Sequence, residues 1–302
     1  MSNESGRGTA KVTRTQSLVH AAAALCVISL ALMAVSCAGK STTSTPAGKT
    51  TTANRAGLVV TNTWTLDNQT HQEPMQVPGV TAASPSTLFV ALIASDSGQG
   101  PERGGPPLDC KIQSVEGGEL TWTRRAEAHL SITGAPSVSE VWTAFSPTSV
   151  QPFTLTVTRN NDNGGLTNCD NYEGASGPDI ANGMVVVQAI TGADPKMPIG
   201  ATAIAGVGKR AGNVAPASVT LTTTRPGSLV VAVGSDWSDP IPRTLPAGQV
   251  MIHEDVSTPN GDNYWAQGLP GTVAAPGAVT LFVSAPTEDD CNMAAVEILR
   301  AP

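Results

Sequence analysis

Two stretches of the chain run through the same succession of short patterns, and this repeat limits the fold more than any other feature. Pro85-Ser-Thr-Leu-Phe-Val-Ala-Leu-Ile-Ala-Ser95 is echoed by Pro226-Gly-Ser-Leu-Val-Val-Ala-Val-Gly-Ser235, and Gly118-Glu-Leu-Thr-Trp-Thr-Arg124 by Ala247-Gly-Gln-Val-Met-Ile-His253. Glu140-Val-Trp-Thr-Ala144 matches Asn263-Tyr-Trp-Ala-Gln267, and Phe153-Thr-Leu-Thr-Val-Thr158 matches Val279-Thr-Leu-Phe-Val-Ser284. Last, Asn182-Gly-Met-Val-Val-Val-Gln-Ala-Ile190 falls where Cys291-Asn-Met-Ala-Ala-Val-Glu-Ile-Leu299 falls. The matching segments are short Val, Leu and Thr runs closed by Gly and Pro, the pattern of strands rather than helices. An all-β, antiparallel sandwich built from two similar halves, residues 58–195 and 196–302, is therefore expected. A period this long in only two copies excludes a solenoid.

The pattern also resembles a family of large β-sandwich domains of bacterial secreted proteins and phage appendages. The likeness rests on the Leu-Val-Val-Ala strand after Pro226-Gly227, the Gly-x-x-Thr-Trp-Thr turn at Gly118, the Val-Trp-Thr-Ala and Thr-Leu-Thr-Val strands, and Ile190-Thr-Gly-Ala-Asp-Pro195. These are framework motifs, so the resemblance implies a jelly-roll-like sandwich and leaves activity open. The chain departs from the family in the insertion at 160–179.

Ahead of the repeat lies an export address. Arg7, Lys11 and Arg14 precede an apolar run over residues 21–36 that ends at Cys37, the layout of a signal peptide. Ala34-Val35-Ser36-Cys37 resembles a bacterial lipobox with Ala34 in place of the usual Leu, which would put a lipid on the Cys37 thiol and tie the protein to the outer face of the cell membrane. Ordinary signal peptidase could cut the same bond and release a secreted protein. An uncleaved anchor is disfavoured, since a largely apolar run of 16 residues falls short of the roughly 20 that a spanning helix needs. The overlapping match Ala34-Val-Ser-Cys-Ala-Gly39-Lys40-Ser41 is no phosphate-binding loop, because no strand precedes it and no helix follows. Residues 38–56 are mostly Ser, Thr, Gly, Pro, Ala and Lys, a tether reaching on the order of 20 to 25 Å.

Cleavage before Cys37 removes three of the 17 basic residues and one of the 24 acidic ones, leaving a net charge of about −9. A surface of that sign excludes nucleic acid as a partner and disfavours anionic lipid. Cys26 leaves with the signal, so Cys110, Cys169 and Cys291 remain. An exported compartment permits one bridge among them: Cys110 with Cys169, or Cys169 with Cys291 if the halves pack together.

Few side chains look chemical. Trp142 and Trp265 hold the same place in the two repeats and are expected in the core. Tyr264, next to Trp265 in a strand, should point to the opposite face, where its ring could stack on a sugar. Trp237, flanked by Asp236 and Asp239, has the makings of a glycan grip, the ring covering an apolar sugar face and the carboxylates taking hydroxyls; plugging the end of the sandwich is the plainer role. The insertion Asn160-Asn-Asp-Asn-Gly-Gly-Leu-Thr-Asn-Cys-Asp-Asn-Tyr-Glu-Gly174 is rich in oxygen donors of the kind Ca²⁺ takes, without the spacing of a known calcium loop. Glu288-Asp289-Asp290 is a lesser candidate, and no other cofactor is expected. His71, His129 and His253 complete the set; no Gly-x-Ser-x-Gly elbow occurs and no His pair has metal-ligand spacing. His253, beside Glu254 and Asp255, falls near the place of His129 in the other half. It suits either acid/base work or a solvated strand edge. The expectation is thus an exported, non-catalytic sandwich that binds a glycan or another surface component. A hydrolase of envelope polysaccharide and a purely structural surface module are the alternatives.

Overall fold

The computed structural model describes residues 57–69, 73–96, 111–135, 137–159, 182–208, 215–237, 239–259, 261–288 and 290–302. The first half runs through β1 (Val59–Asn68), β2 (Met75–Ala82), β3 (Thr87–Ser95), β4 (Ile112–Glu116), β5 (Thr123–Ala128), the single turn α1 (Leu130–Thr133), β6 (Val138–Ser146), β7 (Val150–Arg159) and β8 (Gly183–Thr191). The second runs through β9 (Ile199–Val207), β10 (Ser218–Thr222), β11 (Leu229–Asp236), β12 (Val250–Ser257), β13 (Asp262–Gly268), β14 (Ala278–Phe282) and β15 (Cys291–Ile298). Among the described residues every strand pairing is antiparallel.

Each half makes a large and a small sheet. The first has the order β1-β8-β3-β6-β5 in its large sheet and β2-β7-β4 in its small one; the second has β9-β15-β11-β13-β12 and β10-β14. Strand for strand the two orders correspond, with the fourth strand of the second half reduced to a bridge between Thr244 and Ala285. Apart from the hairpins β5–β6 and β12–β13, which lie in the large sheets, and β11–β12, where the intervening strand is reduced to a bridge, consecutive strands of each half alternate between its two sheets, β1 and β3 in one and β2 and β4 in the other, which is jelly-roll-like wiring.

The halves do not share one sandwich. Phe89, Ala91, Ile93, Val185 and Val187 pack against Met75, Val77, Leu155 and Val157 of the three-stranded sheet. Leu88, Val90, Leu92, Met184 and Val186 point the other way and meet Val231, Val233, Tyr264, Ala294 and Val296 of the second large sheet. Val230, Ala232, Trp265, Met293 and Ala295 then pack on Val219 and Leu281 of the two-stranded sheet. Four layers of 3, 5, 5 and 2 strands result, two sandwiches fused back to back within the single unit 53–302. This explains the near-continuous apolar runs of β3, β8, β11 and β15. A strand covered on both faces has no need of polar alternation.

Equal β-bulges set the register between the halves. One falls between Arg124 and Ala126 of β5, the other between Met251 and His253 of β12. Followed outward through the ladders, this equates Ser95 with Asp236, Gly183 with Cys291 and Trp142 with Gln267. The sequence matching Ser95 with Ser235 and Asn182 with Cys291 is therefore one residue out, and a one-residue slip turns every side chain to the other face. Trp142 and Trp265 are both buried towards the small sheet of their own half, as expected of core residues, but stand two positions apart.

An open seam between the two large sheets

The large sheets stack with β3 over β11 and β5 over β9, and the Asp67–His253 contact ties β1 to β12. The halves are thus related as if by a two-fold axis, and their edges form two seams built from corresponding strands.

The β5–β9 seam has small residues at Ala126, Ala128 and Gly206, with Thr202 and Ile204 further along the same face of β9. A methyl at Gly206 would lie 2.6 Å from Thr133 Cβ, so glycine is needed for that approach. Asn292 locks this seam, accepting the Thr133 hydroxyl at 2.5 Å and donating from Nδ2 to the carbonyls of Ala135 at 2.9 Å and Ser137 at 2.7 Å.

The register places His253, Asp255 and Asp67 at the corresponding positions of the other seam. These side chains are too large for the same close packing, and β1 stands off from β12 with Thr61, Thr63, Thr65 and Asp67 exposed along it. Polar pairs span the gap. Asp67 Oδ1 lies 2.6 Å from His253 Nε2, and Gln69 Nε2 donates to Asp255 Oδ1 at 2.5 Å. Further in, Tyr264 donates its hydroxyl to Asp262 Oδ2 at 2.9 Å, and Asn182 Nδ2 reaches the same oxygen at 3.4 Å.

Three acceptor oxygens on this side have no hydrogen-bond partner: Asp255 Oδ2, Asn182 Oδ1 and Gln188 Oε1. Their residues are only 3%, 1% and 5% exposed. Leaving a buried polar group unsatisfied costs about 1 to 3 kcal/mol, so these three oxygens are where a hydrogen-bond donor would add most on this side of the fold. The electrostatics agree. Burial, with the nearby Asp96 carboxylate, pushes the Asp262 carboxyl up to about 9, so it holds a proton at neutral pH. Burial also raises Asp255, while the hydrogen bond to Asp67 raises His253 and keeps it protonated further up the pH scale.

A second buried carboxyl lies between β4 and β6. Glu140 accepts the Ile112 N–H at 2.9 Å on one oxygen and the Trp142 indole N–H at 2.7 Å on the other. The Arg124 guanidinium lies over the Trp142 ring at 5.3 Å. In the second half Trp265 stands at the Glu140 position and donates to Gln267, at the Trp142 position, also at 2.7 Å, with Arg243 over its ring at 4.9 Å. Ring and acceptor have exchanged places. Both clusters are internal and serve the sandwich.

The expected glycan grip does not assemble. Tyr264 points away from Trp265, as alternation requires, but that face lies between the large sheets, and the ring is fully enclosed. Asp236 is equally buried in an ion pair with Arg243. Trp237 keeps 9% exposure, too little for a stacking platform. Of the four only Asp239 is partly open to solvent. His129 does not correspond to His253; it is buried beside Glu127, 3.0 Å from its carboxylate. Cys37, Cys110, Cys169, His71, Asp289 and the oxygen-rich stretch 160–174 lie outside the described residues, while Cys291 is buried in β15. Among the described residues no three His, Cys, Asp or Glu side chains are grouped to hold a metal ion.

Asp67, Gln69, Asn182, Gln188 and Asp262 were not singled out in the sequence. One signal pointed to the seam: aligned on the bulges, the repeats carry Ala126, Ala128 and Gly206 on one side and His253, Asp255 and Asp67 on the other. Comparison with protein-family models, with curated proteins and with solved structures finds no match to this chain.

Proposed function

We propose that the chain is an exported, lipid-anchored jelly-roll protein that acts without catalysis, holding a glycan or another surface component in the open seam between its large sheets. The observation that carries this reading is the set of three buried oxygens without partners, Asp255 Oδ2, Asn182 Oδ1 and Gln188 Oε1. Polyols supply hydroxyl donors to such acceptors. The threonine row of β1 beside them adds neutral hydroxyls, and the acidic mature chain keeps nucleic acid away. The site thus moves from Trp237 and Tyr264 to the seam.

Two experiments test this. Full-length protein in detergent, applied to a glycan array, should bind a subset of oligosaccharides, and Thr63→Lys with Gln188→Leu should remove that binding. An array without signal, or signal untouched by both substitutions, overturns the seam as the site. Intact-mass analysis of the membrane fraction should find acyl mass on Cys37. Unmodified Cys37 in the culture medium would refute the anchor.

A further inference from the structure

We propose that Ser131, on the turn beside the β5–β9 seam, is a nucleophile that takes one acyl group from an ester with an apolar acyl chain. The inference goes beyond the glycan reading and does not depend on it. It concerns the opposite seam, and it is a single modification of the chain itself rather than turnover.

Geometry comes first. The alternation that turns Ala126 and Ala128 of β5 into the stack turns Glu127 the other way, and His129, extended at φ −154° and ψ 173°, continues it. The next residue begins α1, which brings Ser131 back to the imidazole ring. Ser131 Oγ lies 3.1 Å from His129 Nδ1, and His129 Nε2 lies 3.0 Å from Glu127 Oε1. The same carboxylate oxygen takes Arg124 at 2.7 Å, and the guanidinium rests over the Trp142 ring. A line of contacts thus runs from the core of the first sandwich out to a hydroxyl. His129 is only 3% exposed, whereas Ser131 is open to solvent.

Proton placement comes second. A carboxylate only accepts, so the neutral ring carries its hydrogen on Nε2 and donates it to Glu127; Nδ1 is left to accept the Ser131 hydroxyl. A serine is activated in this way, with a base on its hydroxyl and a carboxylate that holds the base in the right tautomer. The turn is also fixed in place. His129 O accepts the N–H groups of Ile132 and Thr133, both at 3.0 Å, Leu130 O accepts that of Gly134 at 2.8 Å, and Asn292 ties down the Thr133 side chain. Groups already held in position need little rearrangement before they react.

The acyl donor comes third. Attack forms a bond from Ser131 Oγ to the acyl carbonyl carbon, while the hydroxyl proton passes to His129 Nδ1. The imidazolium so formed is paired with Glu127. The bond from that carbon to the alkoxy oxygen of the donor then breaks, the proton leaves Nδ1 with the alcohol, and an acyl-serine ester remains. The neighbours select the chain. Ile132, next to Ser131, is 53% exposed, and Ile204 of β9, the strand against which α1 packs, is 39% exposed. An apolar chain lying on them is removed from water together with them.

Two 4-nitrophenyl esters, the decanoate and the acetate, test this on the full-length protein, with peptide mass spectrometry to place the acyl group and nitrophenolate absorbance to time its arrival. The decanoyl group should appear on Ser131 about a hundredfold or more faster than on any other serine or threonine, and about tenfold faster than the acetyl group does. Nitrophenolate release should stop at one equivalent per chain. Ser131→Ala, at an exposed residue that leaves folding intact, should abolish this release, and Ser84→Ala, elsewhere on the surface, should change nothing. Glu127→Gln should slow it about tenfold or more with the thermal midpoint unchanged, which separates the positioning of His129 from a purely structural role. No acyl group on Ser131, release undiminished by Ser131→Ala, or an unchanged rate in Glu127→Gln overturns the nucleophile. Equal rates for the two esters overturn the apolar chain, and release that continues past one equivalent overturns the single modification. The glycan array reads none of these, so failure here leaves the glycan reading standing.

Discussion

Replacing Glu140 with glutamine should reverse the sign of its effect on stability between acid and alkaline pH. Burial holds the Glu140 carboxyl up at about 7 against 4.5 when unperturbed. Between those values the folded chain binds more protons than the unfolded one, so stability contributed by this group is fully present below pH 4.5 and falls as pH rises to 7. At about 1.36 kcal/mol per unit, that interval of about 2.5 units corresponds to about 3 kcal/mol lost by the native protein and not by the variant. A second effect opposes it. The glutamine amide has one acceptor where two donors, Ile112 N–H and Trp142 Nε1–H, now meet carboxylate oxygens, which costs the variant about 1 to 2 kcal/mol at every pH. The variant should thus be the less stable protein at pH 4.5 and the more stable one at pH 8. Urea denaturation of both proteins across this range, followed by tryptophan fluorescence, measures the difference, in which all other titrations cancel. Parallel stability curves would show that Glu140 is not a buried carboxyl of raised pKa and would refute the reasoning.

Further expectations concern the seam and the core. The His253–Asp67 pair joins the two large sheets, and because its folded pKa lies above the ordinary histidine value, its contribution is full below pH 6.5 and lost as pH rises through the raised value. Both side chains are partly exposed, so a double-mutant cycle with His253→Ala and Asp67→Ala should give a coupling below about 1 kcal/mol at pH 5.5 that weakens as pH rises through the raised value; a coupling independent of pH would count against the ion pair. Gly234→Ala drives a methyl into the Trp265 ring, and thermal melts should show a loss of about 1 to 3 kcal/mol. A variant as stable as the parent would mean that the ring has room to move.

Much of the framework was legible. The Pro85–Ser95 and Pro226–Ser235 runs and the Trp142 and Trp265 strands were found where their residue types put them, and the order of strands repeats as the sequence repeats. Register was harder to see. In a strand such as β3, where both faces are apolar, a shift of one residue leaves the pattern almost unchanged, so similarity alone slid Ser95 onto Ser235. Tyr264 shows a second gap. Alternation correctly turns it away from Trp265, yet it does not say which face is wet, and in a four-layer fold neither is. The candidate site was the least legible part. His253 and Asp67 are 186 positions apart in sequence, as are Asp255 and Gln69, and only the stacking of the two sheets brings them together.

The two-fold-like relation between the halves would hold equally for a pair of identical subunits, but the freedom it leaves would not. Identical subunits repeat every contact, so a substitution that pries open one edge of the pair pries open the other as well. Here a single short turn joins the halves, pinned where Asp194 accepts the N–H groups of Lys196 at 3.0 Å and Met197 at 3.2 Å and binds Arg225 at 2.8 Å. Each edge is then coded by its own residues. The alanine and glycine edge can hold the layers shut, and its twin can carry charge that would unsettle the stack if it were present twice.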